Sequence, residues 1–155
     1  MSFRKHIYTV LAVGFSIFVL APAAGAASKA TTLLRAVNHT RAVHGLRALR
    51  IDVRLVRAAR SHSQEMLRGE YFAHGDFHGR MVAFHVQGPT AGENLAWGNG
   101  SYASPASIVR EWLASPEHRA NLLRRGWTRI GIGLARGTFL GNGGSTVVTA
   151  DFAGR

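Results

Sequence analysis

The 155-residue chain contains no cysteine. Disulfides, cysteine nucleophiles, thiolate zinc sites and redox motifs are therefore excluded, and an exported domain of this size must hold its fold by packing and hydrogen bonds. Acidic residues are scarce: 8 Asp and Glu stand against 19 Lys and Arg, a formal net charge of +11. Charged residues make up only 17% and hydrophobic ones 46%, which excludes a chain disordered by composition. There is no internal repeat and no low-complexity tract after the N-terminal segment. His-Glu-x-x-His and Gly-x-Ser-x-Gly are both absent, so neither a one-helix zinc site nor a serine-hydrolase elbow is encoded.

The N-terminal apolar run, Ile7 to Leu20, has 14 residues, short of the roughly 20 that a bilayer span needs. Arg4, Lys5 and His6 precede it and Ala24-Gly25-Ala26 follows, so residues 1–26 read as a signal peptide. An uncleaved N-terminal anchor is the alternative. Residues 27–30 read as a short tether and 31–155 as one domain, long enough for one sizeable core. Lys5 and Lys29 are the only lysines; every other basic residue is Arg. The arginines are scattered, which argues against a nucleic-acid tail, and export argues the same way. An attraction to anionic cell-surface polymers fits the charge.

Apolar spacing predicts a helix over Thr31 to Val43, with Leu33, Leu34, Ala36 and Val37 inward and Gly45 as its stop. Leu46, Leu49 and Ile51 are expected to enter the core. Asp52 caps a second helix to about Arg68, with Leu55, Ala59, His62 and Met66 on one face and Arg54, Arg57, Arg60 and Arg68 solvated. A short helix is expected over Arg80 to Val86, and an extended segment over Gly92 to Gly98. Ser104-Pro105 and Ser115-Pro116 each open a helix. Trp127 to Ala135 and Thr146 to Phe152 alternate as strands around a turn region over Gly137 to Gly144. Helices first and an antiparallel pair last predict an α+β fold.

Three residues stand out. His74 follows Tyr71-Phe72-Ala73, Glu93 sits in Gly92-Glu93-Asn94-Leu95-Ala96, and His118 sits in Ser115-Pro116-Glu117-His118-Arg119-Ala120-Asn121. The gaps between them, 19 and 25 residues, match no local metal motif. Singly, each reads as a surface or hydrogen-bonding residue, and His62 reads as a core-edge residue. Asp76 and His78 lie near His74, either as additional site residues or as loop residues, with Asp76 capping the short helix. His39, His44 and His85 read as surface residues.

Motifs run in order along the chain: Asn38-x-x-Arg41, His62-Ser63-x-x-Met66, Phe72-Ala73-His74, and Gly92 through Gly98. Trp112-Leu113-x-Ser115-Pro116-x-His118-Arg119-x-Asn121-Leu122-Leu123 follows, then Ile130-Gly131-Ile132-Gly133 and Thr149-Ala150-Asp151-Phe152. Together they resemble the bacterial branch of the CAP superfamily, the group of cysteine-rich secretory, antigen-five and pathogenesis-related proteins that carry an SCP domain. The resemblance implies an α-β-α sandwich, with a small antiparallel sheet packed between helices, and a cleft. In eukaryotic members two His and two Glu line that cleft and can bind a divalent metal. His74, Glu93 and His118 match three of the four, with Asn94 and Asn121 beside them. Ser115 stands where the second Glu is expected, and neither Glu111 nor Glu117 is at that position.

His74, Glu93 and His118 would be the ligands of Zn²⁺ or another divalent cation if one binds. A structural role for Glu93 and Asn94, fixing the cleft loop, is also open. The resemblance implies a secreted or periplasmic binding module rather than an enzyme, taking a lipid, an anionic envelope polymer or a protein as ligand. The alternative is a divalent-metal-dependent hydrolase of peptide, lipid or cell-wall substrates.

Overall fold

The computed structural model describes residues 24–154. The signal-peptide reading of residues 1–26 lies almost wholly outside that range. In chain order the elements are α1 (Ala24–Val43), β1 (Arg50–Ile51), α2 (Val53–Gly69), α3 (Phe77–Ala83) and β2 (Thr90–Gly98). A 3₁₀ turn over Gly100–Ala103 leads to α4 (Pro105–Ala114), α5 (Pro116–Leu122), β3 (Trp127–Phe139) and β4 (Asn142–Gly154).

Local chemistry sets most of these boundaries. Asp52 accepts the backbone N–H groups of Arg54 and Leu55 and starts α2, and Ser104 accepts that of Ser107 and starts α4. Pro105 and Pro116 take the first helical positions, where a missing N–H costs nothing. Glu70, at φ 50°, closes α2 in the left-handed conformation.

The strands form one sheet in the order β1-β3-β4-β2, antiparallel except for the β1–β3 pair. Alternation along β3 and β4 sends successive side chains to opposite layers. Ile130, Ile132, Val148, Ala150 and Phe152 pack with Leu33 and Val37 of α1, Trp112 of α4 and Leu122 of α5. On the other face, Ala153 packs with Leu55 and Ala58 of α2, and Val147 and Leu95 pack with Met66. The sheet is thus sandwiched between α1, α4 and α5 on one side and α2 and α3 on the other, as the α+β expectation required.

Two glycines bring α2 against the sheet. A Cβ on Gly131 would lie 2.1 Å from the Leu55 backbone carbonyl carbon, and one on Gly133 would lie 2.2 Å from that of Ala59. Side chains there would push the helix away from the strand, so the Ile-Gly-Ile-Gly repeat encodes a backbone-to-backbone contact.

The structure corrects four expectations. Residues 27–30 are not a tether but part of α1, since nothing in Ala27-Ser28-Lys29-Ala30 breaks a helix. The short third helix begins at Phe77 rather than Arg80, because Asp76 caps it through the Gly79 N–H. Ile51 stays 54% exposed, since β1 is a two-residue outer strand from which the chain turns at once into α2. The hairpin also extends through most of the predicted turn region. Phe139 pairs with Asn142, and Leu140 and Gly141 form a two-residue turn with φ of 49° and 77°.

Candidate functional site

The motif residues Asn38 and Arg41 prove to be clasps. Asn38 exchanges two hydrogen bonds with the backbone of Leu49. Arg41, fully buried, donates to the carbonyls of Arg47, Leu122 and Arg124. One guanidinium thereby ties the loop after α1 to the end of α5.

The candidate site centres on Glu93, on the α2 side of β2. The side chain of Glu93 is only 2% exposed, yet both of its oxygens have a partner. His74 Nδ1, from the loop after α2, lies 2.7 Å from Oε1. Arg80 Nη2, from α3, donates to Oε2 at 2.5 Å. His62 Nε2, on the buried face of α2, lies 3.9 Å from Oε2 and hydrogen-bonds the Ala73 carbonyl at 3.0 Å. His62 therefore stands beneath the site rather than at the edge of the core, and it positions the loop that carries His74.

Asp151 is the residue of β4 directly opposite Glu93, and it is wholly buried. Burial first, then the Glu93 charge, push its carboxyl well above the ordinary carboxylate range; the Arg80 guanidinium pulls the other way. Glu93, Asp151, Arg80 and His62 thus form one buried polar knot on the α2 side of the sheet, which His74 meets from the surface.

His118, on α5, completes the set. Burial, then the proximity of His74, hold its imidazole below the usual histidine value, while Glu117 pulls weakly upward. The structure thus brings His74, Glu93 and His118 into one neighbourhood. Asn94 Nδ2 donates to the His118 carbonyl at 2.9 Å, and Asn121 Nδ2 donates to the Glu93 carbonyl at 3.0 Å. These two amides cross-link β2 to α5, and Trp127 Nε1 in turn holds the Asn121 carbonyl at 2.8 Å. Both asparagines thus act on backbone groups and fix β2 and α5 against each other.

Asp76 is occupied as the α3 cap, and His78 is exposed. Ser115 caps α5 by position but makes no capping hydrogen bond, and Glu111 and Glu117 are exposed. No carboxylate replaces the missing second Glu. Glu93 carries instead a cation from the protein itself, Arg80, which the sequence reading passed over.

The residues present do not fit a divalent cation. Among the described residues no group of three or more His, Asp or Glu is placed to hold one. Glu93 gives one oxygen to an imidazole and the other to a guanidinium, and a metal taking the second would have to displace a buried charge-assisted bond. What the candidate site leaves open is imidazole. The His74 side chain is 56% exposed, and neither its Nε2 nor the ring of His118 has a hydrogen-bond partner among the described residues.

Comparisons with known proteins agree with this architecture. The sequence profile of the "CAP: Cysteine-rich secretory protein family" matches residues 34–152. The uncharacterized protein YkwD of Bacillus subtilis is 38% identical over 101 residues, which are 62% of this chain and 38% of that protein. The uncharacterized membrane protein YlbC of the same organism is 34% identical over 109 residues, 67% of this chain and 31% of that one. The chain thus spans only about a third of the length of these relatives, 38% and 31%. Among solved structures, an extracellular protein containing an SCP domain from Bacillus anthracis superimposes with a TM-score of 0.71 at 25% identity, over 83% of this chain and 41% of that one. Among the described residues no helix is long and apolar enough to cross a membrane.

Proposed function

The chain belongs to the cysteine-rich secretory protein (CAP) family, and from that premise we propose that it is an extracytoplasmic, non-catalytic binding module. Its cleft takes the polar, hydrogen-bonding group of an envelope molecule between His74 and His118. The observation that carries this reading is the saturation of Glu93. A general base needs an oxygen free to take a proton from substrate, and here both oxygens are held by His74 and Arg80 in a buried setting. The carboxylate instead fixes the His74 ring: Nδ1 faces Glu93, which leaves Nε2 for a ligand. His118, biased toward its neutral form, offers a second imidazole without adding another full charge.

Native mass spectrometry of the protein recovered from its own envelope tests this reading. The expected result is a bound molecule retained by the wild type and lost from the His74→Ala/His118→Ala double variant, with the thermal melt unchanged. A ligand-free wild type, or a ligand held equally by the double variant, would overturn it. Turnover of a peptide, lipid or glycan substrate that disappears in Glu93→Gln would overturn the non-catalytic part.

A further inference from the structure

The arginines that look scattered in sequence do not stay scattered in the fold. A groove of about 760 Å³ runs along the outer edge of the sheet, between β1, the start of β3 and the Gln87–Pro89 segment. Arg47, Arg50, Arg125 and Arg129 line it, and no acidic residue does. Arg129 is already engaged. It donates to Asp52 Oδ2 at 2.5 Å and to the Gln87 carbonyl, so it serves as a strut for the groove wall. Asp52 accepts that bond on one oxygen and the N-terminal N–H groups of α2 on the other. The guanidinium groups of Arg47, Arg50 and Arg125 are exposed and make no ion pair or hydrogen bond among the described residues.

The segments bearing these free guanidinium groups are held by buried clasps. Arg41 binds the carbonyls of Arg47 and Arg124, each part of a segment that presents a groove arginine. Asn38 grips both backbone groups of Leu49, next to Arg50. The Asn38-x-x-Arg41 motif therefore preorganises a three-arginine surface, which removes part of the ordering cost of binding.

We infer that this groove binds an extended polyanion carrying repeated phosphate groups, as a soluble or wall-bound envelope polymer would. Arginine forks match phosphate oxygens in pairs, and three of them along one concave wall match a chain of charges rather than a single ion. The concavity suits a strand of polymer better than the plane of a bilayer. The only aromatic in the lining, Trp127, is buried, so the groove offers no platform for stacking nucleic-acid bases. None of His74, Glu93 and His118 lines the groove, so the inference is independent of what the cleft binds.

The test uses the full-length protein and linear inorganic polyphosphate as probe, with orthophosphate and phosphatidylglycerol vesicles alongside. Polyphosphate is expected to bind in a salt-sensitive way, and orthophosphate far more weakly. The Arg47→Gln/Arg50→Gln/Arg125→Gln variant should weaken polyphosphate binding at least about tenfold, or 1.4 kcal/mol. The Arg57→Gln/Arg60→Gln/Arg68→Gln variant removes the same charge from the exposed face of α2 and should change it by less than about threefold. Thermal melts verify that both variants fold. Equal losses in the two variants, no binding by the wild type, or tighter binding to vesicles than to polyphosphate would each overturn the proposal.

Discussion

Replacing Arg80 with methionine removes the cation that Glu93 leans on while filling most of its volume. The side chains of Arg80 and Glu93 are 8% and 2% exposed, so water cannot take over the lost partner. Breaking one side of such a pair costs about 3–5 kcal/mol, because a charge is left buried and uncompensated. That is a large share of the roughly 5–15 kcal/mol that holds a domain together. Spread over a domain of this size it corresponds to a fall in Tm of about 10–20 °C.

Asp151 sets the pH dependence of that loss. Its carboxyl is already pushed up by burial and by Glu93, and Arg80 is the one influence that lowers it. A carboxyl raised in the folded state stabilises fully below its unfolded value, and that contribution is lost as pH climbs through the raised value. Without Arg80 the raised value moves higher still, so the variant goes on losing stability after the wild type's Asp151 has ionised, and the Arg80→Met deficit should widen as pH climbs through the wild type's raised value. Urea and thermal melts of both proteins as a function of pH measure it. A deficit below about 1 kcal/mol, or one that does not change with pH, would refute the account of the knot.

Asp151→Asn should melt at or above the wild-type temperature at neutral pH and show a flatter stability profile toward acid, since the amide removes the group whose raised value creates the slope; a steeper profile would contradict this. Gly133→Ala should cost at least about 1–3 kcal/mol in urea unfolding, because its Cβ meets the Ala59 backbone rather than a yielding side chain. Wild-type stability in that variant would show that α2 is not seated directly on the sheet.

Much of this architecture could be read from the chain because its signals are local. Asp52, Ser104-Pro105 and Ser115-Pro116 mark helix starts within a few residues, and the alternation from Ile130 to Leu134 assigns a face to each side chain. Resemblance drew attention to His74, Glu93 and His118, and the fold brings them together. The missed residues depend on long-range placement. Arg80 looked like any other arginine, and starting α3 at Phe77 places it beside Glu93. Asp151 faces Glu93 only through the β2–β4 register. A trace of it was visible all the same, since an acid between Ala150 and Phe152, in a strand apolar on both faces, has no route to solvent.

The grouping of Arg47, Arg50 and Arg125 left no such trace, because β1 is two residues long and its parallel pairing with β3 has no local signature.

The central claim is that Glu93 is neutralised from within, by Arg80, and not by a bound metal. Isothermal titration of Zn²⁺ into the protein at neutral pH, with His74→Ala and His118→Ala as controls, tests it most directly. The account predicts no saturable heat that depends on either histidine. Stoichiometric binding abolished by both substitutions would contradict it.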